Sequence, residues 1–296
     1  MSFSKKIKEE LALHTGSSRH CQLAELAAIF YFLGRVSKTE DGIGIRFENE
    51  NEPVHRKIQI LLQELFAENE QCLKEGSRQI LEALKIWDEK EQCLVQKEVV
   101  DGLLIQQVCC KRAFIRGAFL SAGSMSDPKK GYHFEIVCDN EPGAKQLQEV
   151  MNVFEVDAKI VRRKKSFVVY VKEGAHIVDL LNVMEAHVAL MELENIRILK
   201  EMRNSVNRKV NCETANISKT VSASLKQIEA IEYIKEHGGF DQLPDTLKEV
   251  AMLRLQYPEA PLKELGGLLD TPVGKSGVNH RLRKIGEIAE EMGAIL

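Results

Sequence analysis

Apolar positions along the first two-thirds of the chain alternate between helical and strand periods, and two of the helical runs are the same run written twice. The first is LAELAAIFYFLGRVS, residues 23–37, and the second is RAFIRGAFLSAGSMS, residues 112–126. Superposing them puts Ala24 on Ala113, Leu26 on Ile115, Ala28 on Gly117, Phe30 on Phe119 and Gly34 on Gly123. Both are apolar almost all round, as a buried helix is. Glycine inside a helix costs about 1 kcal/mol relative to alanine, so Gly117 needs a reason. Close approach of a second helix supplies one, which makes Ala24, Ala28, Ala113 and Gly117 the predicted seam of a pseudo-symmetric pair. Two ordinary buried helices of one core are the plainer alternative. Gly34 and Gly123 are predicted to close the two helices in the left-handed conformation.

The rest of this region repeats with them. A short amphipathic helix over residues 5–14 carries Ile7 and Leu11, and after the first repeated helix Ile43, Ile45 and Phe47 alternate with polar residues as a strand does. Pro53 opens a helix bearing Ile58, Leu61, Leu62, Leu65 and Phe66, proline being tolerated where its missing N–H has no partner. A short strand is predicted at Gln71–Lys74, then a helix with Ile80, Leu81, Leu84 and Trp87. In the second half, Tyr132–Cys138 alternates and Pro142 starts a helix. Asp157–Val171 reads as two strands joined by a basic tip at Lys164–Ser166, and Ala175–Met184 is helical. The unit is αββαββα, written over about residues 20–105 and again over 109–195, within a domain spanning 1–195.

From Glu185 strand periodicity fades. A helix is predicted over Ala186–Asn204, and residues 196–238 read as a basic helical linker. Between Arg197 and Lys226 lie Arg197, Lys200, Arg203, Arg208, Lys209, Lys219 and Lys226 against only Glu201 and Glu213. Its asparagine-rich stretch NSVNRKVNCETAN, residues 204–216, predicts a structured turn.

Residues 239–296 read as three short helices. Leu247, Val250, Ala251, Leu253 and Leu255 mark the first, stopped by Pro258. Pro261 opens the second, with Leu262, Leu265 and Leu268. Asp270–Gly274 is a loop around Pro272, a little longer than the tightest form of a helix-turn-helix turn, and the third helix runs from residues 274–276 to about Met292. At 100° per residue Val278, Leu282, Ile285 and Ala289 form one stripe of that helix. Ser276, His280, Arg283 and Lys284 lie opposite, with Asn279 on the flank and Arg281 nearer the buried stripe. From Lys275 to Lys284 there are four basic residues, one histidine and no acid. Arginine pairs with guanine, asparagine with adenine, serine and lysine with phosphate. The DNA-binding candidates are therefore Lys275, Ser276, Asn279, His280, Arg281, Arg283 and Lys284. Auxiliary candidates are Arg162, Arg163, Lys164 and Lys165, with Arg208 and Lys209 in the linker. A solvated face on an ordinary bundle is the alternative.

Composition narrows the class. Hydrophobic content of 44% and charged content of 29% over 296 residues are those of a globular protein with room for two domains. No apolar run approaches the roughly 18 residues of a membrane span, and MSFSKKIKEEL carries no signal core, so a cytoplasmic, nucleoid-associated protein is expected. The net charge of −3 argues against a protein that coats nucleic acid but leaves room for a local basic surface. The seven cysteines contain no CxxC pair and read as small reduced hydrophobes, with no metal site and no cofactor expected.

Three strings, CCKRAFIRGAFLSAGS (109–124), NRKVNCETANISKT (207–220) and KSGVNHRLRKI (275–285), closely resemble the WhiA family of bacterial transcription regulators, and the resemblance covers essentially the whole chain. It implies an α+β fold, a degenerate LAGLIDADG homing-endonuclease domain holding the helix pair, followed by an all-α helix-turn-helix domain. It also implies a regulator of sporulation and cell-division genes. In LAGLIDADG enzymes a carboxylate just before each terminal glycine holds divalent metal. The matching positions here are Leu33 and Ala122, and the other acidic slots are Tyr31 and Leu120. Neither half can bind metal there, so no cleavage is expected. The expected partner is double-stranded promoter DNA, with no membrane. A protein partner, such as another transcription factor or RNA polymerase, is the second candidate. An interaction protein using the duplicated domain and, last, an active nuclease remain as alternatives.

Overall fold

A computed structural model describes residues 2–39, 42–49, 51–67, 73–88, 93–95 and 98–294. The chain divides into two compact units, Met1–Lys200 and Glu201–Leu296.

The first unit opens with α1 (Phe3–Leu13) and is centred on α2 (Arg19–Leu33) and α5 (Val108–Ala122), which pack along their length. Both central helices are buried nearly all round, and the seam between them is made of small residues. Ala24, Ala113 and Cys110 form one cluster with Cys21 against it. A Cβ on Gly117 would lie 2.5 Å from the Glu25 carbonyl oxygen and 2.9 Å from the Ala28 Cβ, so no larger residue fits there.

The terminal glycines are not left-handed caps. Gly34 (φ −72°, ψ 137°) and Gly123 (φ −85°, ψ 151°) are extended, and each is the first residue of a strand. Their requirement is for space. A Cβ on Gly34 would meet the Phe30 carbonyl oxygen at 2.5 Å, and one on Gly123 the Phe119 Cα at 2.7 Å.

After α2 come β1 (Gly34–Thr39) and β2 (Gly42–Phe47), an antiparallel pair in the register Val36↔Ile45, then α3 (Glu52–Phe66) and α4 (Leu73–Ala83). The strand predicted at Gln71–Lys74 is not there: Leu73 and Lys74 are helical, and Gln71 and Cys72 lie outside the described residues. Nor is Trp87 helical. Lys85 turns left-handed (φ 60°) and Ile86 N–H donates back to the Leu81 carbonyl at 2.8 Å, a helix-ending motif that delivers Trp87 into β3 (Trp87–Asp88), paired with β4 (Cys93–Leu94). The first half therefore places its last helix before its last hairpin.

The second half keeps the predicted order: α5, β5 (Gly123–Met125), β6 (Phe134–Cys138), α6 (Glu141–Asn152), β7 (Lys159–Arg163), β8 (Ser166–Val171), α7 (Gly174–Val183). Its antiparallel sheet has the order β5-β6-β8-β7. Phe134, Ile136 and Cys138 alternate into the core, while Glu135 and Val137 are half-buried on the other face.

α8 is one helix from His187 to Glu236. Glu10 caps its start, its carboxylate accepting from the N–H groups of Val188 (2.7 Å) and Ala189 (3.0 Å), where the helix dipole favours negative charge. The turn predicted at residues 204–216 is absent. Asparagine disfavours a helix by well under 1 kcal/mol per residue, whereas interrupting a helix strands several backbone groups at each new end. Every residue from 201 to 223 is exposed.

In the second unit the end of α8 packs Ala230, Ile231 and Ile234 against α9 (Asp245–Gln256), α10 (Leu262–Gly267) and α11 (Lys275–Glu291), with a short 3-10 turn at Phe240–Gln242. Val278, Leu282, Ile285 and Ala289 of α11 close that core.

Candidate nucleic-acid interface

The turn before α11 is tightly fastened. Val273 N–H donates to the Gly266 carbonyl at 3.1 Å, and a Cβ on Gly266 would run into the Val273 carbonyl and come within 3.1 Å of Val278 Cγ2. Arg254 is buried and donates to the carbonyls of Ala260 (2.9 Å) and Pro258 (3.2 Å), and Ser224 Oγ donates to the same Pro258 carbonyl. Burial lowers the Arg254 pKa from its usual value. The Val273–Gly266 bond fastens the turn between α10 and α11, while Arg254 and Ser224 brace the preceding turn between α9 and α10.

On that support Lys275, Ser276, Asn279, His280 and Arg283 line one open hollow of 490 Å³. Lys284 is exposed beside them, and Arg281 is half-buried on the flank. The first turn of α11 contains no acid, so its N-terminal dipole is free to attract phosphate. Arg283 Nε lies 3.2 Å from Glu287 Oε1, an exposed i,i+4 pair. Such a pair is worth only about 0.3–0.5 kcal/mol, too little to keep the guanidinium from a guanine edge. Lys226 of α8 is not among the DNA-binding candidates read from the sequence, only one of the basic residues of its segment. It lines a second hollow with Asn279 and Arg283, and the basic count of its segment, which fixes no face, was the only sequence signal for it.

The auxiliary candidates belong to different units. Arg208 and Lys209 lie on α8 in the second unit, whereas Arg162 and Arg163 are neighbours on β7 and therefore point to opposite sheet faces. Arg162 stacks over Phe167 at 6.0 Å. Arg163 reaches Glu135 at 3.7 Å, while Lys164 and Lys165 form the exposed tip. Burial alone raises the Glu135 pKa, but hydrogen bonds from His133 and Ser124, with the charges of His133 and Arg163, outweigh it and hold the carboxyl below its usual range. Glu135 is thus already paired with its own neighbours.

Beneath the helix pair lies a network that the sequence reading missed. Glu25 and Lys57 are fully buried and Arg116 nearly so. Glu25 Oε1 is 3.0 Å from Lys57 Nζ and 3.1 Å from Arg116 Nε, and Arg116 Nη1 reaches Glu185 Oε2 at 2.6 Å. Burial lowers the pKa of Lys57, opposed by Glu25. Its sequence signal was a lone acid in LAELAAIF and a lone arginine in AFIRGAF. At the other end of the pair, Leu33 and Ala122 are half-buried just before the strand glycines.

Three family models match the chain: the WhiA N-terminal LAGLIDADG-like domain over residues 19–87, the WhiA LAGLIDADG-like domain over 111–203, and the WhiA C-terminal HTH domain over 206–289. Among curated relatives, the probable cell division protein WhiA of Lachnoclostridium phytofermentans is 51% identical, over 98% of this chain and 99% of that one. The protein of the same name from Lachnospira eligens is 48% identical, over 99% and 98%. The crystal structure of full-length DUF199/WhiA from Thermatoga maritima is similar with a TM-score of 0.58 at 28% identity, covering 100% of both chains. Among the described residues no helix is long and apolar enough to cross a membrane.

Proposed function

The chain belongs to the WhiA family, and from that premise we propose that it is a sequence-specific DNA-binding transcription regulator of sporulation and cell-division genes, reading promoter DNA through α11 and without nuclease activity. In this reading residues 239–296 are the reader, 1–195 the scaffold and 196–238 the connection between them. The observation that carries it is the single exposed face of α11, where Lys275, Ser276, Asn279, His280 and Arg283 line one hollow and no acid intervenes before Lys284.

Each residue has a chemical role. Arg283 and Asn279 offer bidentate pairing to guanine and adenine. Lys275, Ser276 and Lys284 take phosphates and set the register, and His280 contacts the backbone or a base edge beside them. Arg281, half-buried, supports the helix and touches DNA only at its margin. The β7–β8 tip, Arg162 and Arg163 with Lys164 and Lys165, and Arg208 and Lys209 of α8 are auxiliary phosphate contacts. The absence of nuclease chemistry follows from Leu33 and Ala122, whose side chains have no oxygen to offer a hard cation.

Selection of duplexes from a random pool by the full-length chain tests the reading. One enriched motif, lost in the double variant Asn279→Ala/Arg283→Ala, is the expected result. Enrichment that survives this double variant would move the reading function away from α11, and nicking of the motif in magnesium would restore the nuclease. A full-length chain that enriches nothing would favour the second reading, a regulator that acts by binding another transcription factor or RNA polymerase through the duplicated domain.

A further inference from the structure

The opposite end of the helix pair from Leu33 and Ala122 carries chemistry that DNA reading does not use. His20 and Cys21 lie in the first turn of α2, and Cys109 and Cys110 in the first turn of α5. Cys109 stands to His20, and Cys110 to Cys21, as Ala113 stands to Ala24 in the repeat. Because Cys21, Ala24, Cys110 and Ala113 share one cluster, the pseudo-symmetry brings the two repeated positions to one point. His20 Nδ1 lies 3.2 Å from Cys110 Sγ, 3.3 Å from Cys21 Sγ and 3.9 Å from Cys109 Sγ. All four donor atoms fall within 4.8 Å of one another.

We propose that His20, Cys21, Cys109 and Cys110 form a Cys₃His site for zinc that ties the two half-domains together at the start of the helix pair. A tetrahedral zinc ion takes sulfur at roughly 2.3 Å and nitrogen at roughly 2.0–2.1 Å, which sets neighbouring donors about 3.5–3.8 Å apart. The observed spacing brackets that value, so small rotamer adjustments seat the ion. Three thiolates, one neutral imidazole and Zn²⁺ sum to one negative charge, and the positive ends of two helix dipoles face it. Cys21 and Cys109 also line an open hollow with Thr15, Gly16, Ser17 and Ser18, which provides a way in.

Binding exchanges three S–H bonds for three S–Zn bonds and releases the thiol protons to solvent, with no change of oxidation state.

The test uses the full-length chain, isolated under reductant, stripped of metal and titrated with zinc against a chromophoric chelator, then loaded with cobalt. The expected result is one ion per chain, proton release on binding, and a cobalt spectrum with tetrahedral visible bands and thiolate charge transfer. Cys21→Ser and Cys109→Ser should each weaken binding by more than the 10–100-fold that follows loss of an outer-shell partner, while Cys212→Ser, on the exposed part of α8, leaves it unchanged. Trp87 fluorescence verifies that the variants fold, and the thiolate charge-transfer intensity of the unsubstituted chain counts sulfur ligands independently of any variant. Substoichiometric metal, binding indifferent to both serine substitutions, or a Cys21–Cys109 disulfide with no zinc uptake after reduction would overturn the assignment.

Discussion

Replacing Glu25 by glutamine keeps the shape of the side chain and removes the charge on which two buried cations depend. In the native chain its Oε1 sits 3.0 Å from Lys57 Nζ and 3.1 Å from Arg116 Nε, with all three side chains at most 3% exposed. Arg116 keeps Glu185 at 2.6 Å, but Lys57 loses its one acidic partner in that network and must stay charged in a dry site or release its proton. Breaking one side of a buried pair is worth about 3–5 kcal/mol. At roughly 2–4 °C per kcal/mol for a unit of this size, the midpoint should fall by about 6–20 °C. The chain's single tryptophan, Trp87, lies in the first unit under the Arg78 guanidinium, so its fluorescence follows that unit alone, on heating for the midpoint temperature and in urea for the free energy and the urea midpoint. The triple variant Glu25→Leu/Lys57→Met/Arg116→Leu should recover the loss, because an apolar replacement of a buried ionic cluster is often neutral or stabilising. A loss below about 1 kcal/mol for Glu25→Gln would mean that water reaches the network, and the desolvation argument would fail.

Other outcomes follow from the same contacts. Gly117→Ala should destabilise the first unit by about 1–3 kcal/mol, read from the same urea midpoint, because its Cβ would press on the Glu25 carbonyl at 2.5 Å and the Ala28 Cβ at 2.9 Å; no change would mean that the helices are not in close contact. Lys8→Met should stabilise the first unit at pH 7. Burial lowers the Lys8 pKa from 10.5 to about 8, so the folded state binds fewer protons than the unfolded one between those values and native stability rises with pH there. The advantage of methionine, about 1–3 kcal/mol at neutral pH, should shrink between pH 8 and 10.5, and a constant advantage would contradict it. Lys284→Ala should weaken DNA binding uniformly across sequences and reduce the slope of log K against log salt by about 1, whereas a change confined to one base would make Lys284 a base reader.

Periodicity was informative where one face of an element meets a core. The stripe Val278–Leu282–Ile285–Ala289 and the strand alternation of Phe134, Ile136 and Cys138 both follow from that. It failed where tertiary contacts or backbone geometry decide. The asparagines of residues 204–216 argued for a turn, but helix propagation outweighs their small penalties. Trp87 continues the apolar spacing of its helix, yet the left-handed Lys85 ends that helix first. The repeat itself was visible in sequence. Its consequence at His20, Cys21, Cys109 and Cys110 was not, since only packing the repeated helices with matching ends together brings those donors to one point. Glu25 and Arg116 were equally plain as letters, but their partners Lys57 and Glu185 lie far away in the chain. The residue types on the face of α11 were legible in sequence, while the support given by Arg254 and Ser224 to the turn between α9 and α10 required the structure.

The central claim is that α11 reads bases, and anisotropy of the selected duplex with full-length Arg283→Ala and Lys248→Ala tests it most directly. Arg283→Ala should lose about 1–3 kcal/mol against the preferred duplex and nothing against duplexes already changed at the guanine it pairs with, while Lys248→Ala should leave the preference intact. Unchanged specific binding by Arg283→Ala together with loss of it in Lys248→Ala would contradict the account.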